Sequence, residues 1–133
     1  MPHPLASTYT SFIVNPVTKR MRHDDLGDFD LRGIRDTGEI DGACRRVVNG
    51  QPGDPLSGQA SEVDPNPVSH YVEIIQNRGT FDIVYQGTAV FDSAGRVTSI
   101  AGRRQRIPHD PLLARELEAL LEQDQGTWVA TQP

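Results

Sequence analysis

The chain has 133 residues, 36% of them hydrophobic, and a formal net charge of -5. That length suits one domain with a real core, and the modest apolar share leaves room for long loops. The acidic balance argues against nucleic acid and anionic membranes as partners, and the single cysteine, Cys44, excludes an internal disulfide.

No basic start is followed by an apolar run, and no stretch approaches membrane-spanning length. The expectation is a soluble cytoplasmic protein that does not use a membrane. Residues 1–7 read as a flexible leader, broken by Pro2 and Pro4. Thr8 to Val14 is rich in β-branched and aromatic residues and predicts a first strand, closed by Asn15-Pro16. A charged connection follows from Lys19 to Asp28. Its acidic cluster with Asp30 (His23, Asp24, Asp25, Asp28) lacks the alternating spacing of a calcium loop, so no metal is expected there.

Phe29 to Arg35 and Glu39 to Val48 read as a hairpin around Asp36-Thr37-Gly38, with a bulge at Asp41-Gly42. Cys44 stands beside Arg45 and Arg46, which would lower the pKa of an exposed thiol; a small residue filling a strand is the plainer reading. The stretch 50–68 is crowded with proline and glycine and reads as a long loop, a candidate lid over the strands that follow it.

Those strands form a meander: Tyr71 to Gln76, Thr80 to Phe91 and Val97 to Ile107. They are joined at Asn77-Arg78-Gly79 and Ser93-Ala94-Gly95. With those triplets as the loops, Tyr71 falls opposite Tyr85, Glu73 opposite Ile83, Phe91 opposite Val97 and Tyr85 opposite Arg103. One face then carries Ile75, Phe81, Ile83, Tyr85, Ala89, Phe91 and Val97 and is the expected core side. His70 falls on the other face, opposite Gln86, and Asp82 falls opposite Arg106.

After the meander the period changes. Asp110 can cap a helix with Pro111 in its first turn, and Leu112, Leu113, Leu117, Leu120 and Leu121 follow at helical spacing. Gly126 stands just past the end. This predicts an amphipathic helix over 110–125 that packs on the sheet, with Trp128 pinning a tail over 126–133. The fold expectation is a mainly β (α+β) domain: a curved antiparallel sheet or small barrel of about six strands, with one C-terminal helix.

The register gathers Tyr71, Glu73, Tyr85 and Arg103 at one end of the apolar face. A carboxylate and a guanidinium there are costly to bury unless they pair or meet a ligand. As a site, Glu73 would act as general base. Arg103, Tyr71 and Tyr85 would hold or polarise a substrate oxygen, and His70 is a further acid–base candidate. Phe81, Ile83 and Phe91 would line the pocket, with Gln86 at its mouth. No P-loop, dinucleotide fingerprint, nucleophile elbow or zinc spacing occurs, so no cofactor is expected. The basic run Arg103, Arg104, Arg106 lacks interleaved aromatics and suits salt pairing better than single-strand binding. Two readings follow. One is a small-molecule-binding barrel, a cofactor-independent isomerase, cyclase or lyase. The other is an interaction protein (an inhibitor, immunity-type partner or assembly subunit) that works through its acidic surface, a sheet edge or the Leu-rich helix, and a homo-oligomer is open to either.

Overall fold

The structure, a computed structural model, describes residues 3–15, 17–24, 28–46, 50, 53–65, 68–110 and 126–132. Among these residues there are nine strands: β1 (Thr8–Val14), β2 (Met21–His23), β3 (Phe29–Asp30), β4 (Gly42–Cys44), β5 (Pro55–Pro65), β6 (Val68–Asn77), β7 (Phe81–Phe91), β8 (Val97–Pro108) and β9 (Gly126–Thr131). Every pairing is antiparallel, and consecutive strands from β3 to β9 are neighbours. The sheet then closes on itself, because β1 pairs β9 from Thr10↔Thr131 to Val14↔Thr127. On its other edge β1 pairs β3 at Thr8 and Tyr9, and β2 at Phe12 to Val14. β2 is thus a short flanking strand, and the ring itself contains the other eight.

The expected six strands become an eight-stranded barrel because two stretches with weak strand composition are strands. The Pro/Gly-rich stretch 50–68 supplies β5, not a lid. Its prolines sit at the two ends, Pro55 and Pro65, where they interrupt the ladder least. Between them Leu56 and Ala60 are buried at even spacing while Pro55, Ser57, Gln59 and Ser61 are exposed. The tail supplies β9, with Trp128 and Ala130 buried and the exposed Thr127 opposite Val14 on β1. Among the described residues there is no helix; the helix expected over 110–125 lies, but for Asp110, outside them.

The meander forms, with two changes of register. The β7–β8 turn is the expected triplet, since Asp92 N donates to Arg96 O at 2.8 Å and Phe91 faces Val97. A bulge just beyond it slides the pairing by one, so Val90 meets Ser99 and Tyr85 meets Arg104, not Arg103. The β6–β7 turn is four residues long: Arg78 N donates to Phe81 O at 2.9 Å, and Asn77 pairs with Asp82. That odd shift exchanges the faces of β6. Val72, Ile74 and Gln76 point inward, whereas Tyr71, Glu73 and Ile75 point outward. β7 turns the expected side inward, with Ile83, Tyr85 and Ala89 buried.

Gly87 and Gly102 face each other across β7 and β8, and Trp128 stands next in the same row. A Cβ at Gly102 would run into the backbone oxygen of Gln86, and one at Gly87 into that of Ala101. Close backbone approach of this kind lets a sheet coil tightly enough to close. In the same row the Trp128 ring meets Tyr85 at 5.0 Å and Phe29 at 6.0 Å, both edge to face.

The two ends of the barrel differ. At one, Leu5, Leu31, Ile34 and Ile40 are buried, and the Tyr9 hydroxyl donates to Leu5 O at 2.7 Å. Residues 3–7, read from sequence as a leader, run across this end and seal it with apolar side chains. The other end is polar.

Candidate functional site

The polar end is assembled by segments distant in sequence. Gln76 at the close of β6 and Tyr85 in β7 are both fully buried. The Tyr85 hydroxyl donates to Gln76 Oε1 at 2.9 Å, and Gln76 Nε2 donates to Asp54 Oδ2 at 2.9 Å. Arg78, in the turn after β6, donates to the same Asp54 oxygen at 2.6 Å. Asp54 and Arg78 are 26% and 30% exposed, so this chain of polar groups leads from the rim into the core. Asp24 and Asp28 join the same end through Ser11 on β1: Asp24 N donates to Ser11 O, and Ser11 N donates to Asp28 Oδ1, each at 2.9 Å.

Arg104 is the unusual member. Its parity on β8 points it into the barrel directly across from Tyr85, with the guanidinium carbon 5.9 Å from the ring centroid. The residue is only 8% exposed. Its Nε has no hydrogen-bond partner, and among the described residues no carboxylate pairs with it. Trp128 Nε1 and Ser11 Oγ are also buried without partners. Buried N–H groups are nearly always paired, yet Arg104, which hydrogen-bonds the Tyr85 side chain, keeps a buried Nε with no acceptor. Two unpartnered donors on diagonal neighbours of one interior face are therefore a signal.

The buried phenol and thiol here are held neutral. Burial pushes the Tyr85 hydroxyl well above the ordinary phenol range; Arg104 works against that shift and Asp24 with it. Tyr85 is thus a hydrogen-bonding phenol at neutral pH. Burial, reinforced by Asp54, pushes the Cys44 thiol up to about 12. The arginines beside Cys44 in sequence do not activate it, because its side chain faces the core and theirs do not.

The residues singled out from sequence are dispersed. Tyr85 and Ile83 are inside, but Glu73 is on the outer face, accepting from Gln86 Nε2 at 3.1 Å. Arg103 is exposed and pairs across with Gln86, and Tyr71 is exposed. The expected convergence of Tyr71, Glu73, Tyr85 and Arg103 therefore does not occur, for the two register reasons given above. His70 is buried instead, at the sealed end, its ring 5.4 Å from those of both His3 and Phe91. Phe81 and Phe91 are half-buried, Phe81 lying under the Arg106 guanidinium at 4.3 Å. Asp82 meets His109, not Arg106. Of the early acidic cluster, Asp25 lies outside the described residues, and Asp28 binds His23 at 2.9 Å. Among the described residues no group of three or more His, Cys, Asp or Glu side chains is arranged to hold a metal ion.

Sequence reasoning missed Arg104, Trp128, Gln76, Asp54 and Asp24 as members of one site. The readable signal was the glycine pair: Gly87 and Gly102 share a face with Tyr85 and Arg104 once they are set opposite each other. Compared with protein-family models, curated proteins and solved structures, the chain matches none.

Proposed function

We propose that this barrel binds a small molecule at its polar end, against Arg104, Trp128 and Tyr85. What carries the reading is the unpartnered guanidinium Nε of Arg104, buried inside the barrel beside an unpartnered indole N–H. A natural core retains such groups at a cost in stability, and a ligand that accepts from them removes that cost. Eight strands suit the reading, since a barrel of that size has room for side chains or one small ligand.

The finer proposal is acid–base chemistry without a cofactor, of the isomerase, cyclase or lyase kind. Asp24 would be the base: its carboxylate acts on the Tyr85 hydroxyl and forms no ion pair among the described residues. Tyr85 would hold a substrate oxygen as a neutral donor, and Arg104 would stabilise charge developing there.

The test is a thermal-shift screen of a small-molecule library against the wild type and Arg104→Met. Compounds that stabilise the wild type and not the variant support the reading. A library that shifts both equally, or neither, contradicts it.

A further inference from the structure

The unpartnered groups also specify what kind of ligand fits, an inference that rests on the binding reading above. We infer that the site takes a small monoanion, a carboxylate carried on a flat apolar body, with its oxygens on Arg104 Nε and Trp128 Nε1. Both unpartnered nitrogens are donors, and one belongs to a cation, so the complementary group is an acceptor with negative charge. The competing possibility, a cationic ligand in an aromatic cage, fails on geometry. Phe29, Tyr85 and Trp128 stand edge to face with one another, at interplanar angles of 83°, 86° and 76°, and so cover each other's faces.

The other charges at this end limit the anion to one unit. Asp54 is committed to Arg78 at 2.6 Å, and Asp28 to His23 at 2.9 Å and Arg45 at 3.7 Å. Asp24 forms no ion pair among the described residues, and its backbone N–H holds it to Ser11 O at 2.9 Å at this end of the barrel. A dianion such as phosphate would meet its repulsion, whereas a carboxylate balanced by Arg104 would not. Phe29, Trp128 and Ile74 make the surroundings of these donors apolar, so the rest of the ligand should be apolar and flat enough to enter by displacing little of that packing.

The experiment titrates the intact protein with benzoate, benzyl alcohol and inorganic phosphate, following the fluorescence of Trp128, the chain's one tryptophan. Benzoate should give a saturable change that benzyl alcohol and phosphate do not. Arg104→Gln should weaken benzoate by about ten-fold or more, the scale of a charge-assisted hydrogen bond. Trp128→Phe, followed by thermal shift, gives a second variant that keeps the ring and removes the N–H. It should also reduce benzoate stabilisation. Equal responses to benzoate and benzyl alcohol, a stronger response to phosphate, or full benzoate affinity in folded Arg104→Gln would each overturn the inference. So would no response to benzoate at all. If neutral compounds from the library screen still depend on Arg104, the binding reading stands and only the anion is wrong.

Discussion

Tyr85 and Arg104 stand directly opposite each other on β7 and β8, inside the barrel, and neither is more than 8% exposed. The pair is polar where the rest of its row is not, since Ile74 flanks Tyr85 on β6. Removing the charge therefore separates stability from binding. Arg104→Met replaces a poorly satisfied cation with an apolar side chain of similar length, a class of change that is neutral or stabilising by about 1–4 kcal/mol. The expected outcome is a urea midpoint equal to or above that of the wild type, with ligand stabilisation lost. A marked loss of stability would show that Arg104 is a structural group with partners of its own.

Gly102→Ala should be among the most damaging small substitutions in the chain. Its methyl would meet the Gln86 backbone oxygen and the Gly87 Cα, neither of which can step aside within a paired sheet. The expected cost is about 2 kcal/mol or more, in the range of overpacked interiors. Gly50→Ala, where a Cβ has open space, should cost only about 1–2 kcal/mol, through its positive φ alone. Equal midpoints for the two variants would refute the close-approach account of barrel closure.

Tyr9 ties the sealed end shut. Its hydroxyl donates to Leu5 O at 2.7 Å, and burial pushes its pKa well up, so it stays a donor throughout the accessible pH range. Tyr9→Phe leaves that carbonyl without this donor and should cost about 1–3 kcal/mol. Hydrogen exchange should show the loss first at residues 3–7, before the strands of the polar end.

His109 gives the sheet a pH-dependent clasp. Its Nδ1 meets Gly79 O at 2.9 Å and its Nε2 meets Asp82 Oδ1 at 2.8 Å, so both nitrogens face acceptors and the imidazolium fits best. The hydrogen bond to Asp82 raises its pKa above 6.5. A raised folded pKa means the contribution is full below the unfolded value and disappears as pH rises through the folded one. Unfolding midpoints across that window should fall more in the wild type than in His109→Gln. Parallel profiles would remove the clasp.

How much of this was legible in the sequence depended on parity. The alternation of Ile83, Tyr85 and Ala89 reads inward without ambiguity, and the Ser93-Ala94-Gly95 turn is recognisable from its glycine, at φ 81°. A bulge leaves no comparable mark. The one between the β7–β8 turn and Ser99 exchanged Arg103 for Arg104 as the guanidinium that faces Tyr85. Likewise Asn77-Arg78-Gly79 and Arg78-Gly79-Thr80-Phe81 are both plausible loops, and the choice between them decides whether Glu73 or Gln76 faces the core. β5 was obscured by composition, because its prolines and glycine suggest loop unless the prolines are known to sit at its ends and Gly58 to lie against the Glu73 backbone at positive φ. Closure by β9 was not readable at all, since it depends on β9 pairing with both β1 and β8 and on Trp128 meeting Phe29 and Tyr85.

Cys44 should behave as a buried thiol and not as a reagent. With its pKa pushed up to about 12, thiolate is scarce at neutral pH, and the side chain is 5% exposed. Labelling by iodoacetamide should proceed at the rate of unfolding and accelerate in urea. Rapid stoichiometric labelling of the native protein would place Cys44 in a more open part of the polar end.

The most direct test of the whole account uses the one indole. In a ¹H–¹⁵N spectrum the Trp128 Nε1–H signal reports the interior, while the Tyr71, Glu73 and Gln86 amides report the outer face. On addition of a pool of small neutral and anionic compounds, the account predicts that the indole signal and the Gln76 side-chain amide move saturably and the outer-face amides hold still. An immobile indole signal, with shifts confined to the outer face, would contradict an interior binding site.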